Sequence, residues 1–287
     1  MRTNGGEVTG PLRWLPVVVL VVVATGAITQ PSPRRAGVPF TVLAGASATA
    51  CPSWALAPYD ECTDDSASSA DPIVIVDEFE SVIATVTAPR IVARSAPRPD
   101  TRAVAAFPKR SPEGVPQVFL LTAGSGEDLA EEGPDGTSWY EALLPVRPNG
   151  TTGFLPADSV SLSSTPYRIE VDRSAFRLTL WKGFQVVDRM TIGLGTGKTP
   201  TPVGRFYLTS LLRPPNPNTI YGTYAYGLSG YSEVLTDWEG GGVVGLHGTN
   251  DPSSIGRRAS HGCIRMRNRD IEKLVPLLPL GVPIEII

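Results

Sequence analysis

The chain has 287 residues and a formal net charge of −3, enough for about two domains by the usual size prior, and its charge argues against an electrostatic binder of nucleic acid or of anionic membranes. Its 29 glycines and 28 prolines, with few aromatic residues, favour turn-rich β domains joined by linkers. Only two histidines and three cysteines are available for nucleophilic or metal chemistry.

In chain order, Arg2 and Arg13 precede an apolar run at 14–24 that continues through Thr25, Gly26 and Ala27 to Ile28. A run of about fifteen apolar residues is short for a spanning helix, which needs ~20, and long for a signal-peptide core. Residues 1–28 therefore read as a cleaved signal peptide or a retained membrane anchor. Either exports the rest of the chain to the cell wall or periplasmic space, with membrane contact through this segment alone. Residues 29–71 are rich in Pro, Ala and Ser and hold no sustained period of 2 or 3.6, the composition of a disordered linker. In an oxidising compartment Cys51 and Cys62 can pair, which leaves Cys263 as the free thiol. The approach to Cys51 also faintly resembles a lipoprotein processing site, with Ala48 where leucine is wanted.

Residues 72–163 hold short apolar runs at 81–86, 117–121 and 139–144, separated by Pro and Gly turns. Strands of that size and spacing predict a small β-barrel. The run 139–150, followed by Gly153-Phe154-Leu155-Pro156, resembles the closing hairpin of bacterial Src-homology-3-like domains, with Asn149-Gly150 as its turn. That resemblance implies a module that holds wall glycan or peptide, or a spacer that positions the C-terminal region.

Pro166 opens a last region, 164–287, in which 168–172, 177–182 and 185–192 predict successive strands. Gly193-Leu194-Gly195-Thr196-Gly197-Lys198-Thr199 tempts a phosphate-loop reading, but Ile192 stands where the first glycine is needed, and Pro200 and Pro202 forbid the helix that must come after it. The stretch 211–242 is long and broken by glycines, and it carries Tyr221, Tyr224, Tyr226 and Tyr231. It reads as a flap over a site, with Tyr224 and Tyr231 as candidate substrate contacts. Asn268 is placed to cap a short helix whose apolar face is Ile271, Leu274, Val275 and Leu278, and 282–287 reads as a final strand.

Between these lies the chemistry. His247 and His261, the only histidines, fall within sixteen residues of Cys263. A cysteine is nucleophilic as its thiolate, and a neighbouring base or cation brings that form within reach. Gly262 permits a tight turn, so the amides of Gly262 and Cys263 can point at an oxyanion on a carbonyl attacked by sulfur. A zinc site would want paired Cys or His spacing and a fourth ligand, which the stretch lacks, so no metal and no cofactor are expected. A papain-like arrangement would put the cysteine before its histidine, and here His247 comes first.

His247-Gly248-Thr249-Asn250, with twelve residues between His247 and Ser260, then Ser260-His261-Gly262-Cys263-Ile264-Arg265, resembles the active-site signature of the YkuD-type L,D-transpeptidases. Thr199-Pro200-Thr201-Pro202-Val203-Gly204-Arg205-Phe206 resembles a second motif of that family, the T-P-x-G-x-F turn. The resemblance implies a mainly β protein, with a β-sandwich or barrel-like catalytic domain behind the Src-homology-3-like barrel. It implies Cys263 as nucleophile and His247 as base, with Ser260, His261, Gly262 and Arg265 shaping the pocket and Asn250 near the substrate. The expected reaction joins peptidoglycan stem peptides third residue to third residue through a thioester, and carbapenems are the expected inhibitors. The alternatives are an L,D-carboxypeptidase or exchange enzyme using the same site, and a catalytically silent wall-binding protein.

Overall fold

The computed structural model describes residues 80–124, 128–236 and 241–287. The signal or anchor (1–28) and the linker (29–71), with Cys51 and Cys62, lie outside the described residues. As expected the fold is mainly β, and its strands fall into two large sheets with a change of sheet at Pro166.

The first sheet is built from β1 (Ser81–Val86), β2 (Arg90–Arg94), β3 (Ala103–Pro108), β4 (Val118–Gly124), β5 (Ala130–Glu132), β6 (Ser138–Leu143), β7 (Thr152–Pro156) and β8 (Val160–Thr165). Its spatial order is β3-β2-β7-β6-β4-β1-β8, with β5 attached to β6. Successive side chains of a strand point to opposite faces, and β1 and β4 are buried on both. Val82, Ala84, Val86, Phe119 and Leu121 enter this sheet's own core. Ile83, Val118 and Leu120, with Leu143 of β6, instead close on Tyr207 of the second sheet. Two buried faces explain why these strands read as unbroken apolar runs rather than alternating ones. The β6–β7 connection is longer than the two-residue turn expected of Asn149-Gly150. Leu144 N–H donates to Thr151 O at 2.9 Å, and Asn149 and Gly150 form a turn closed by Thr151 N–H to Pro148 O at 3.3 Å.

The second region runs through β9 (Tyr167–Asp172), β10 (Arg177–Lys182), β11 (Gln185–Thr191), β12 (Leu194–Gly195), β13 (Gly204–Leu212), β14 (Ala225–Tyr231), β15 (Val243–His247), β16 (Arg258–Ser260), β17 (Ile264–Arg265), α1 (Asn268–Leu274) and β18 (Pro283–Ile286). Eight of these strands form one sheet in the order β11-β10-β9-β18-β13-β14-β15-β17, and β12 pairs with β16. Most neighbours are antiparallel, but β18 runs parallel to β9, and β17 parallel to β15. The glycine-rich stretch 193–199 runs on through Pro200 and Pro202 into β13. Thr201 is buried there and its Oγ1 accepts the Gly195 N–H at 2.9 Å, which ties that stretch to the sheet.

Of the apolar face expected for α1, Ile271 and Leu274 lie in the helix and are fully buried, Val275 is half-buried at its C-cap, and Leu278 is nearly buried beyond the helix end. Burial of each such side chain contributes about 1.5–3 kcal/mol, and Asp270 in the first turn favours the helix dipole. The cap differs from the expectation. Arg267 is the N-cap residue, with no side-chain cap bond, because the Asn268 carbonyl oxygen is engaged elsewhere.

The stretch 211–242 is not one flap. Its middle is β14, hydrogen-bonded on both sides by β13 and β15, with Tyr226 buried in the core and its hydroxyl donating to Leu278 O at 3.2 Å. The glycines that suggested a loop instead permit close packing within a strand. A Cβ at Gly230 would sit 2.5 Å from the Phe206 ring, and one at Gly227 would sit 2.6 Å from Ser210 Oγ. Of its described residues, 213–224, 232–236, 241 and 242 lie outside the sheet.

Candidate active site

Because β15 and β17 run parallel, with Leu246 beside Ile264 and His247 beside Arg265, the strand ending in His247 lies next to the segment carrying Cys263. The Gly245 N–H donates to Cys263 Sγ at 3.4 Å. A Cβ at Gly245 would lie 3.5 Å from His247 Cδ2 and 3.7 Å from Cys263 Sγ. Imidazole and thiol thus flank one small space that any side chain at 245 would fill.

His247 is 4% exposed, and its Nδ1 lies 2.6 Å from Gly248 O. A carbonyl oxygen only accepts, so Nδ1 carries the proton and Nε2 keeps its lone pair. Burial, opposed by the backbone bonds to Gly248 and Ile220 and reinforced by the Arg265 charge, pushes the His247 pKa from 6.5 down to about 4. Burial likewise raises the Cys263 thiol from 9.0, against smaller lowering effects of the Gly245 amide and Arg265. The expectation that nearby imidazoles would lower the thiol pKa is therefore reversed. A buried neutral imidazole brings no positive charge, and desolvation disfavours the thiolate. At neutral pH the pair rests as thiol and free base rather than as an ion pair.

The same shift predicts how stability depends on pH. An unfolded histidine binds its proton near pH 6.5 while the folded one resists until about pH 4. Folding stability from this group is complete above pH 6.5 and falls as pH drops towards 4, by about 3 kcal/mol in all. Urea midpoints measured between pH 7 and pH 4 should fall more steeply for the native chain than for His247→Gln. Parallel curves would show that the imidazole is not buried in solution.

Ser260 organises the turn before the thiol. Its Oγ donates to Cys263 O at 2.6 Å and accepts the Gly262 N–H at 3.1 Å, closing a tight ring around Gly262, whose φ of 122° suits glycine. The Gly262 amide is thereby engaged, which corrects its expected part in an oxyanion hole and leaves the Cys263 amide as the candidate. His261 is exposed and, with Ser232, Leu235, Gly242, Val243 and Gly262, lines a cavity of about 40 Å³ against Cys263. Arg265 is largely buried, with Nη1 3.9 Å from Asp251 Oδ2 and with Nε unpaired among the described residues. A larger cleft of about 510 Å³ on the first sheet, between Trp139 and Asp158, shares no residue with this site.

Among the described tyrosines, the one against the imidazole is Tyr221, edge-on at 5.2 Å between ring centroids. Tyr224 packs on the core under the Arg213 guanidinium. Tyr231 gives its hydroxyl to Pro145 O at 2.8 Å and lies beneath Arg147. Asn250 donates through Nδ2 to Asn218 O at 3.0 Å and through its amide to Thr219 O at 3.2 Å, which pins the segment bearing Tyr221.

Asn268, read from sequence as a helix cap, joins the two loops at the imidazole. Its Oδ1 accepts the Thr249 N–H at 3.0 Å and the Thr223 N–H at 3.3 Å. The Gly248–Thr249 peptide thus gives its N–H to Asn268 and its carbonyl to His247 Nδ1. A Cβ on Gly222 or Gly248 would collide with that oxygen. Their small size was the only sequence signal for this contact, and it does not name the partner.

This geometry can be set beside known proteins. Residues 166–286 match the YkuD family model, described as the L,D-transpeptidase catalytic domain. The Bacillus licheniformis protein named L,D-transpeptidase YkuD is 33% identical over 176 residues, covering 59% of this chain and 99% of that one. Its Bacillus subtilis namesake is 34% identical, covering 50% of this chain and 84% of that one. Among solved structures, the Bdellovibrio bacteriovorus protein Bd1075 is 28% identical with a TM-score of 0.34, over 43% of this chain and 47% of that one, so this chain spans about half of it. A relative aligned along nearly its whole length at one residue in three is a match of family: the chain belongs to the L,D-transpeptidases.

Proposed function

We propose that the chain is an exported enzyme that cross-links peptidoglycan stem peptides, with Cys263 as nucleophile and His247 as base. What supports this most is the thiol and the neutral imidazole meeting over Gly245 while Nδ1 is held by Gly248 O. As sulfur attacks the carbonyl of the third stem residue, His247 Nε2 takes the thiol proton. The Cys263 amide donates to the developing oxyanion. Collapse expels the terminal D-alanine, whose amine leaves with the proton held by His247, and a thioester remains. A side-chain amine of a second stem then attacks the thioester, passes its proton to His247 and releases the sulfur. The product is a bond from third residue to third residue. In this reading residues 72–163 form the Src-homology-3-like module, and the N-terminal segment directs export.

Purified tetrapeptide stems, incubated with the enzyme and resolved by mass spectrometry, test the reaction. A dimer that has lost one D-alanine is the expected product. A tripeptide alone would make the enzyme a carboxypeptidase, D-amino-acid incorporation would make it an exchange enzyme, and unreacted peptide would leave a silent wall-binding protein.

A carbapenem presents a strained carbonyl to the same sulfur, and its leaving nitrogen stays tethered, so the acyl-enzyme should persist. One adduct per chain is expected by intact mass, located by digestion on the peptide that holds Cys263. Because the base is neutral above about pH 4, acylation should persist well below pH 6.5 and fall off near pH 4. A rate that falls off already near neutrality would show that the base is not the buried imidazole.

A further inference from the structure

The cavity beside Cys263 has one wall made by the ends of the β14–β15 connection, with Ser232 and Leu235 on one limb and Gly242 and Val243 on the other. Ser232 N–H donates to Gly242 O at 2.8 Å and ties the limbs together. Both are also held from outside their own sheet. Arg147, in the β6–β7 connection of the first sheet, donates through Nη1 to Ser232 O at 2.7 Å, and through Nη2 to Gly241 O at 3.1 Å and Leu235 O at 3.4 Å. Its guanidinium lies 4.9 Å from the Tyr231 ring centroid.

The neighbours of Arg147 fix its approach. Asn149 mimics a strand partner for Tyr231, accepting its N–H at 2.9 Å and donating to its carbonyl at 2.8 Å. Tyr231 returns a bond from its hydroxyl to Pro145 O. A Cβ at Gly242 would meet Leu235 O and, at 2.9 Å, Arg147 Nη2, so the limbs close tightly around the guanidinium. A planar fork with several donors can hold three diverging carbonyls together, whereas an ammonium on a flexible stem cannot.

We propose that Arg147 is a positioning residue for the wall of the active site beside Cys263: the first sheet, through this side chain, sets the surface against which a stem peptide is presented to that thiol. The inference rests on the acyl-transfer reading above. It gives residues 72–163 a part in substrate binding beyond spacing or wall attachment, since without Arg147 the Ser232 and Leu235 carbonyls on one limb and the Gly241 carbonyl on the other lose their shared donor.

The test compares the full chain with Arg147→Ala, Arg147→Lys and Asn149→Ala, after circular dichroism has shown that each is folded. Two rates are read: turnover of tetrapeptide stems, and alkylation of Cys263 by iodoacetamide, a probe too small to need the wall. Loss of charge-assisted bonds of this kind should raise KM for the stem by about tenfold in Arg147→Ala, with kcat and alkylation within about twofold. Arg147→Lys should recover little of this, and millimolar free guanidinium should restore part of it to Arg147→Ala. An unchanged KM in a folded Arg147→Ala, or kcat and alkylation falling together without a change in KM, would overturn the proposal. If the unmodified chain alkylates normally but converts no stem, the reaction itself has been misread, an outcome distinct from either.

Discussion

Cys263→Ala is expected to remove turnover completely while leaving the fold intact, and His247→Gln to reduce it by at least about a thousandfold. Cys263 is partly buried and is not a member of the hydrophobic core, so alanine deletes a sulfur and its bond from the Gly245 N–H without removing a core contact. Without the imidazole the thiol has no acceptor for its proton, and its own pKa has moved upwards, so the thiolate is scarcer at neutral pH than for a free cysteine. His247→Gln should therefore regain reactivity towards iodoacetamide as pH climbs past 9, while the native chain reacts across neutral pH. Rates of iodoacetamide alkylation of Cys263 measured between pH 5 and pH 10 would give both profiles. If His261→Gln rather than His247→Gln showed the displaced profile, the exposed histidine would be the base.

The chemical centre was legible in the sequence because it is made of rare residues close together: both histidines, a cysteine and the glycine between them lie within one short stretch. Strands at 81–86, 177–182 and 283–286 were legible because their apolar residues alternate or run unbroken between turn residues, and the pattern reflects burial directly. β14 was hidden because its glycines suit a loop equally well. Only Phe206 and Ser210, distant in the chain, show that the glycines make room for neighbours. β3 was hidden for another reason: its alternation is between half-exposed and exposed positions, which leaves little contrast to read. The Gly262 amide looked free for an oxyanion because nothing local announces that Ser260, two residues earlier, will take it. Arg147 meets its carbonyls across 85 to 94 positions of chain, a separation at which sequence pattern carries no information.

Asn268→Ala should be the most damaging change among residues that touch neither sulfur nor imidazole. Its oxygen is the acceptor for two main-chain N–H groups, at Thr223 and Thr249. Leaving each unpaired costs about 1–3 kcal/mol where water cannot replace the lost bond. A fall of a few kcal/mol in unfolding free energy is expected, read from urea titration. The kinetic effect is separate. Once the Gly248–Thr249 peptide loses its anchor, the carbonyl that holds His247 Nδ1 can rotate, and the imidazole loses the tautomer that keeps Nε2 free. kcat should fall by about ten- to a hundredfold, with KM changed less. Asn268→Asp separates the two effects, since a carboxylate accepts both amides but sets a negative charge one peptide away from the imidazole. Its stability should stay near that of the native chain above pH 5, and the His247 pKa should move up from about 4, shifting the acid limb of carbapenem acylation to higher pH. An Asp variant with a native acid limb, or an Ala variant that lost stability but kept native kcat, would reduce Asn268 to a loop tether with no part in orienting the base.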